Sequence, residues 1–220
     1  MPIAANRTKQ RGDTLIEVLF AITVFSLVVV ATLSLMNQGT AAARRSVEMT
    51  LVRDQIDAQA ESLRFLHESY VAQYGPGVTY DLTGTTSPAE EYAKILNRAR
   101  TANLKNATQF TDVASCPAST PSGGFIVNPR TALLETNAAK LVPAGGGYAQ
   151  LEYAAGSGDA DMTARGIWIE AVPTDRETNT ASLTYNAGYV DYYIRACWDV
   201  PGRDTPLTMG TIVRLYEPRG

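Results

Sequence analysis

The sequence predicts an α+β protein in which a long N-terminal helix, transmembrane in its first half, packs on an antiparallel β-sheet head. Three observations predict this class. An almost wholly apolar stretch runs from Leu15 to Met36. The helical signal then continues to about Ala72, with one apolar stripe at helical spacing formed by Met49, Val52, Ile56, Ala60, Leu63, Leu66 and Tyr70. Most of the remaining chain contains short runs in which apolar and polar residues alternate, as they do in strands.

The apolar stretch is long enough to cross a membrane. As a helix it measures roughly 33 Å at 1.5 Å per residue, about the thickness of a hydrocarbon core. Arg7, Lys9 and Arg11 lie just before it. Basic residues on that side hold the N-terminus in the cytoplasm and direct the rest of the chain outward.

Glu17 is the only charged residue of the apolar stretch. A carboxylate inside a membrane costs on the order of 3 kcal/mol, and more without a partner. An ionisable group at this depth is by default a functional-site hypothesis, so we predict that Glu17 either has a partner or is protonated.

The run from Gly12 to Ile22 reads Gly-Asp-Thr-Leu-Ile-Glu-Val-Leu-Phe-Ala-Ile and follows a short basic leader. It closely resembles the signature of type IV prepilins, including minor pilins and pseudopilins. The resemblance implies that a prepilin peptidase cuts between Gly12 and Asp13. It also implies that Glu17, with Thr14, serves assembly, and that the apolar helix becomes the core of a filament of pilin subunits.

The resemblance implies a pilin-like fold and two successive cellular locations. The precursor is expected to be a single-pass membrane protein, and the assembled subunit is expected at the cell surface in an extracellular filament. The family covers both pili and secretion pseudopili, whose roles range over adhesion, motility and DNA uptake. Asp13 departs from the apolar residue usual at that position, which leaves N-methylation of the new terminus open.

Four segments are expected. Residues 1–12 form the leader, residues 13–38 the transmembrane and filament-core helix, residues 39–74 its amphipathic continuation, and residues 75–220 a globular head. Gly39 interrupts the helical pattern near the membrane exit, where it marks either a bend or a tolerated glycine. Gly75-Pro76-Gly77 ends the helix.

Two other interpretations compete with the prepilin. In the first, the apolar stretch is a plain signal anchor in which Glu17 is incidental. In the second, it is a secretory signal cut after Ala41-Ala42-Ala43, so that Arg44 begins the mature chain. Either would make the protein a membrane-anchored or secreted binding domain that does not polymerise.

The charge balance argues against bulk nucleic-acid binding. The net charge is −3, and losing the three basic residues of the leader makes it −6. One local basic cluster remains, which is best explained as a solvated helix face and alternatively as a contact for DNA or a partner. The cluster comprises Lys94, Arg98, Arg100 and Lys105.

The head is expected to hold one short helix and several strands. Ser87-Pro88 followed by two glutamates predicts a helix that begins there and ends near Arg100. The predicted strands are Phe125–Asn128, Tyr148–Tyr153, Gly166–Val172, Tyr189–Val200 and Thr211–Tyr216, the last two antiparallel. Residues 115–124 contain too much proline, glycine and serine for regular structure.

Cys116 and Cys197 are the only cysteines. In an exported domain they suggest one disulfide, and two free thiols are the alternative. The bond would join the irregular segment of residues 115–124 to the strongest predicted strand.

No enzyme or cofactor site is visible in the sequence. The single histidine, His67, lies at the edge of the helical stripe and is not accompanied by a Gly-x-Ser-x-Gly sequence. A phosphate-binding glycine loop and a zinc ligand set are also absent from the sequence. Asp159 and Asp161 are candidates for calcium, but a polar turn explains them better. We therefore expect a structural protein that needs no cofactor.

Overall fold

A computed structural model of the chain describes residues 13–84, 87–104, 106–107, 116–156, 158–159, 161–174, 188–200 and 202–218. The chain divides into two compact units, Met1–Val47 and Glu48–Gly220. The second unit holds the hydrophobic core.

Helix α1 extends over Asp13–Gln73. It remains helical through Gly39, which favours the tolerated glycine among the two alternatives. A Cβ atom at Gly39 would meet no atom within 4 Å, because nothing packs there. The helix ends just before Gly75-Pro76-Gly77, as predicted, and Gly77 adopts a φ of +83°, which favours glycine.

The second half of α1 buries the predicted stripe in the core. The six residues from the second to the last position of that stripe are at most 8% exposed: Val52, Ile56, Ala60, Leu63, Leu66 and Tyr70. The first position, Met49, is 40% exposed. The stripe therefore forms one wall of the core over about five helical turns.

Helix α2 covers Pro88–Ala102 and begins where the sequence predicted. Ser87 caps it: the Glu90 backbone N–H donates to Ser87 Oγ at 3.3 Å, and Ser87 Oγ donates to Glu90 Oε2 at 3.1 Å. The Ser87 hydroxyl thus caps the first turn and also holds the Glu90 side chain. The helix ends two residues beyond the prediction, where Asn103 takes a left-handed conformation with a φ of 44°.

Two small sheets come after α2. The first pairs β1 (Ile126–Asn128) with β2 (Leu133–Glu135) antiparallel. The second contains β3 (Leu141–Val142), β4 (Gln150–Tyr153) and β5 (Met162–Arg165) in the order β3-β5-β4. β3 and β5 are parallel, whereas β4 and β5 are antiparallel. The sequence predicted β1 and β4 but missed the other three strands.

The main sheet is antiparallel, with the order β6 (Ile167–Pro173), β7 (Tyr189–Trp198) and β8 (Leu207–Tyr216). The predicted antiparallel pairing of the last two strands is confirmed over ten residue pairs. β8 begins four residues earlier than predicted. The inner face of β7 is fully buried, as its alternation indicated, through Val190, Tyr192, Ile194, Ala196 and Trp198.

Three tyrosine rings connect α1, α2 and the main sheet. The Tyr70 and Tyr92 ring centroids are 5.3 Å apart, and those of Tyr92 and Tyr192 are 6.4 Å apart. The hydroxyls of Tyr92 and Tyr192 are hydrogen-bonded at 3.2 Å inside the core. Burial raises the pKa of both phenols, so each stays neutral at physiological pH and keeps this bond.

The outer face of the main sheet is also partly covered. Trp168 and Glu170 point away from the core face of β6, yet they are only 4% and 2% exposed. Cys116, Pro117 and Thr120 line a small cavity with Trp168, so the irregular segment after Cys116 lies over this side of β6. The Arg195 guanidinium lies 3.7 Å from the Glu170 carboxylate. β6 is therefore buried on both faces.

A buried glutamine attaches α1 to β1. Gln59 lies on the core side of the helix and has no exposed surface, although its side chain is polar. Its side-chain amide donates to the Val127 carbonyl at 2.6 Å, and its side-chain oxygen accepts from the Val127 N–H at 3.0 Å. The amide thus pairs with the backbone as a neighbouring strand would, and it fixes the helix against the sheet.

We predict that Gln59→Leu destabilises the core more than an ordinary surface change. The substitution keeps the volume but leaves the Val127 N–H and carbonyl buried without a partner, which costs about 2–4 kcal/mol in total. The measurement is chemical unfolding of the full chain in detergent, followed by the fluorescence of the buried Trp168 and Trp198. Gln55→Leu, one turn earlier on the half-buried flank, is the control and should change the free energy of unfolding by less than about 1 kcal/mol. Equal effects of the two changes would contradict the role of Gln59.

Candidate functional site

The candidate site is the first part of α1, where the apolar stretch is exposed. Every large apolar side chain from Leu15 to Met36 is at least 39% exposed. By length and composition α1 can cross a membrane: its most apolar stretch of eighteen residues has a mean hydropathy of 2.6 and none of it is buried. An apolar surface of this extent needs lipid or protein around it.

Three of the four hydroxyl groups within this stretch are hydrogen-bonded inside the helix. Thr23, Ser26 and Thr32 each donate to a backbone carbonyl one turn earlier, at 2.8 Å. Such bonds satisfy the hydroxyl donors within the helix, so these hydroxyl groups can lie in an apolar surrounding. Between Val18 and Met36 the remaining hydroxyl is that of Ser34, and the stretch carries no charged group there.

Glu17 is the exception. Its side chain is exposed, and no hydrogen bond or ion pair joins it to any residue of the described ranges. Asp13 and Thr14 lie in the first turn of the same helix. Asp13 is four residues from Glu17, about 6 Å along the helix axis. Gly12, the other half of the expected cleavage site, lies outside the described residues.

Residues 7–33 match the model of the prokaryotic N-terminal methylation motif. The match includes the basic leader residues, Gly12, Glu17 and most of the exposed apolar stretch. The chain therefore carries the N-terminal motif of type IV prepilin-like proteins. No curated protein and no solved structure matches the chain, so the family assignment depends on this N-terminal motif.

The motif and the fold agree. A prepilin-like protein has a long apolar N-terminal helix, and α1 provides it. The antiparallel main sheet completes the predicted α+β, pilin-like class. The motif also indicates a membrane-anchored precursor and a structural protein rather than an enzyme.

The other residues considered for chemistry have structural contacts. His67 Nε2 lies 2.8 Å from the Tyr216 carbonyl, and its ring packs edge-on against Tyr92 with centroids 5.2 Å apart. Asp159 is ion-paired with Arg130 at 2.8 Å. Asp161 lies 3.4 Å from Lys140. In the described part of the chain, no group of three or more acidic, histidine or cysteine side chains is arranged to hold a metal ion.

The basic cluster on α2 is largely occupied by contacts within the protein. Lys94 is ion-paired with the buried Glu91. Arg98 donates to the carbonyls of Gly123 and Gly124 at 3.3 and 3.2 Å. Lys105 lies outside the described residues. These contacts favour a structural role for the cluster over a nucleic-acid contact.

Arg100 makes a similar internal contact. It is paired with Glu217 at 2.8 Å, which joins α2 to the chain just after β8. Three of the four cations in the cluster therefore already have a partner within the fold.

The structure brings the two cysteines together. Cys116 and Cys197 form a disulfide, with their Cα atoms 5.6 Å apart. The bond attaches the segment over the outer face of β6 to β7, the middle strand of the main sheet. Cys197 is fully buried although it lies on the outer face of β7, because this segment covers it.

We predict that the unreduced protein has no free thiol after unfolding. Alkylation in denaturant followed by mass measurement should add no label without reductant and two labels with it. Closing a loop of 81 residues stabilises the fold by roughly 4 kcal/mol in the chain-entropy model. Cys116→Ser should therefore lower the free energy of unfolding by a comparable amount. Two labelled thiols in the unreduced protein would refute the bond.

Proposed function

We propose that this protein is a minor pilin or pseudopilin, a structural subunit of a type IV pilus-like filament. Prepilin peptidase removes residues 1–12, and the subunit then leaves the membrane by packing its α1 against those of other subunits. The mature protein lies in an extracellular filament. The observation that supports this proposal is the exposed apolar surface of α1, which carries Glu17 inside a prepilin motif.

The role we assign to Glu17 follows from the absence of a partner for it among the described residues. Cleavage after Gly12 creates an amine on Asp13, and this amine is the nearest new positive charge to the Glu17 carboxylate. Both groups carry a desolvation cost in an apolar surrounding, and pairing them between neighbouring subunits removes much of it. Thr14 lies between them in the first turn and contributes to the same contact.

Gly12→Val should block removal of the leader, because the peptidase must fit closely around a residue without a side chain. The mass of the membrane-bound protein should then include residues 1–12. Gly39→Val is the matched control, since Gly39 lies on the same helix with open space around it. It should be processed like the wild type. Trimming of the Gly12→Val protein between residues 12 and 13 would remove the main support for the prepilin.

N-terminal sequencing of the wild-type mature protein separates the proposed function from its alternatives. A start at Asp13 supports the subunit. A start at Arg44 shows a secreted binding domain, and a start at Met1 shows a membrane-anchored one. The last two outcomes contradict the proposal.

Glu17→Ala should spare membrane insertion and leader cleavage but reduce entry into the filament. Removing the carboxylate lowers the cost of insertion, and the cut lies on the other side of Asp13. We expect the share of the variant in sheared filaments, relative to the membrane fraction, to fall by about tenfold or more, a change of ~1.4 kcal/mol or more. Glu68→Ala, on an exposed part of α1 outside the apolar stretch, is the control and should enter normally. Undiminished incorporation of Glu17→Ala would show that Glu17 is not the docking group.

A further inference from the structure

Strand β8 forms an open edge of the main sheet. The opposite edge, on β6, is closed by Phe125, which exchanges two backbone hydrogen bonds with Ile169 at 3.0 and 2.7 Å. β8 pairs only with β7 among the described strands. Within the described part of the chain, its other side therefore has no neighbouring strand over ten residues.

The hydrogen-bond ladder shows which backbone groups face outward. Glu217 N–H donates to the Gly188 carbonyl at 2.8 Å, so alternate residues counted back from Glu217 point toward β7. The residues between them point away, and these are Thr208, Gly210, Ile212, Arg214 and Tyr216. Among the described hydrogen bonds, the backbone groups of this row make one, from His67 to the Tyr216 carbonyl. With respect to the described residues, the first four thus offer a row of N–H and carbonyl groups without a hydrogen-bond partner.

Most of the devices that protect exposed edges are missing from β8. Its ten pairs with β7 are continuous, so it has no bulge. It contains neither proline nor lysine, and Ile212 on it is 57% exposed. Its one charged residue, Arg214, is held by both carboxylate oxygens of Asp191 at 2.7 and 2.8 Å. Natural proteins seldom leave such an edge open unless it is used.

A shallow groove of about 270 Å³ lies beside this edge. Tyr193, Arg195, Thr208 and Ile212 line it around Gly210. A Cβ atom at Gly210 would come within 2.7 Å of the Ile194 carbonyl oxygen, so glycine is required there. Because Gly210 has no side chain, the groove has room for a side chain of an added strand. That side-chain contact supplies selectivity beyond the backbone hydrogen bonds.

The size and position of the edge indicate its occupant. Four open residues bury far less than the roughly 1,000 Å² that a stable complex needs, so the added strand must be held nearby by another contact. Packing of α1 in the proposed filament is such a contact. His67 on α1 bonds to Tyr216, the last residue of β8, so one end of the open edge lies next to α1.

We propose that the β8 edge binds, by strand addition, an extended segment from the head of a neighbouring subunit in the same filament. This proposal rests on the proposed function, because the filament holds the two heads together. The added strand bonds to the backbone from Thr208 to Arg214, and one of its side chains enters the groove at Gly210. A symmetric pairing of two β8 edges is excluded, since it would close a dimer and could not continue along a filament.

The test compares Ile212→Pro with Ile212→Thr. Both remove the exposed isoleucine side chain, but only proline removes the outward N–H, and neither touches a bond to β7. The measurement is the share of each variant in sheared filaments relative to the membrane fraction. We expect Ile212→Pro to fall by about tenfold and Ile212→Thr to stay within about twofold of wild type. Retention of the disulfide and of protease resistance shows that each variant is folded.

Photocrosslinking tests the same contact without proline. A photoreactive residue replacing Thr208 should link to the head of another subunit in filaments, whereas one replacing the exposed Leu82 should not. Equal incorporation of the two Ile212 variants, equal loss of both, or a Thr208 crosslink to anything but a neighbouring head overturns the proposal. Absence of the wild-type protein from filaments would instead refute the proposed function, so the two failures are distinguishable.

Discussion

The structure depends on one constraint: α1 must satisfy two different surroundings along one continuous helix. Over Leu15–Met36 its surface is apolar and exposed, and in the second half one stripe is buried against the chain's own sheet. Burying apolar surface yields about 25 cal/mol per Å², so the first half gains its stability only from lipid or other subunits. The head gains its own from the second half, where Leu63 and Leu66 are fully buried.

The attachment of the head to α1 combines this apolar contact with directional bonds. A hydrophobic stripe alone allows a helix to slide or rotate on a sheet at small cost. The two bonds between Gln59 and Val127 fix the position along the axis, and the His67 contact with Tyr216 fixes a second point two turns later. A force applied to α1 therefore reaches the main sheet through both packing and hydrogen bonds. Such coupling suits a subunit that is pulled from a membrane by its helix.

The long elements were predicted because they have enough residues for a period to show. The stripe of α1 repeats over five turns, and β7 alternates over ten residues, so both were recognised. The strands of two to four residues carry a weak signal: β1 and β4 were predicted, whereas β2, β3 and β5 were missed. Gln59 resembled any polar residue of a helix, because its partner is a backbone far away in the sequence.

The outer face of β6 shows a second limit on what the sequence can predict. Trp168 and Glu170 are buried by a segment without regular structure, and no periodic pattern indicates where such a segment lies. The two cysteines carried the only signal, since joining Cys116 to Cys197 places residues 116–124 near the outer face of β7. The open edge of β8 was missed for a related reason: strand order in a sheet is a property of the fold and leaves no mark on one strand's sequence.

The proposed assembly contact must also accommodate Asp13. After cleavage this residue would carry both the new amine and a carboxylate, while Glu17 adds a second carboxylate one turn later. The amine can neutralise only one of them. Asp13, however, lies at the N-terminus of α1, where four backbone N–H groups lack partners within the helix and the dipole favours negative charge. An acidic residue at a helix N-terminus is in general favoured by about 0.3–1 kcal/mol at an exposed position. In the proposed filament this would leave the amine available for Glu17 of the neighbouring subunit, and an acidic residue would then be compatible with a position where the family usually has an apolar one.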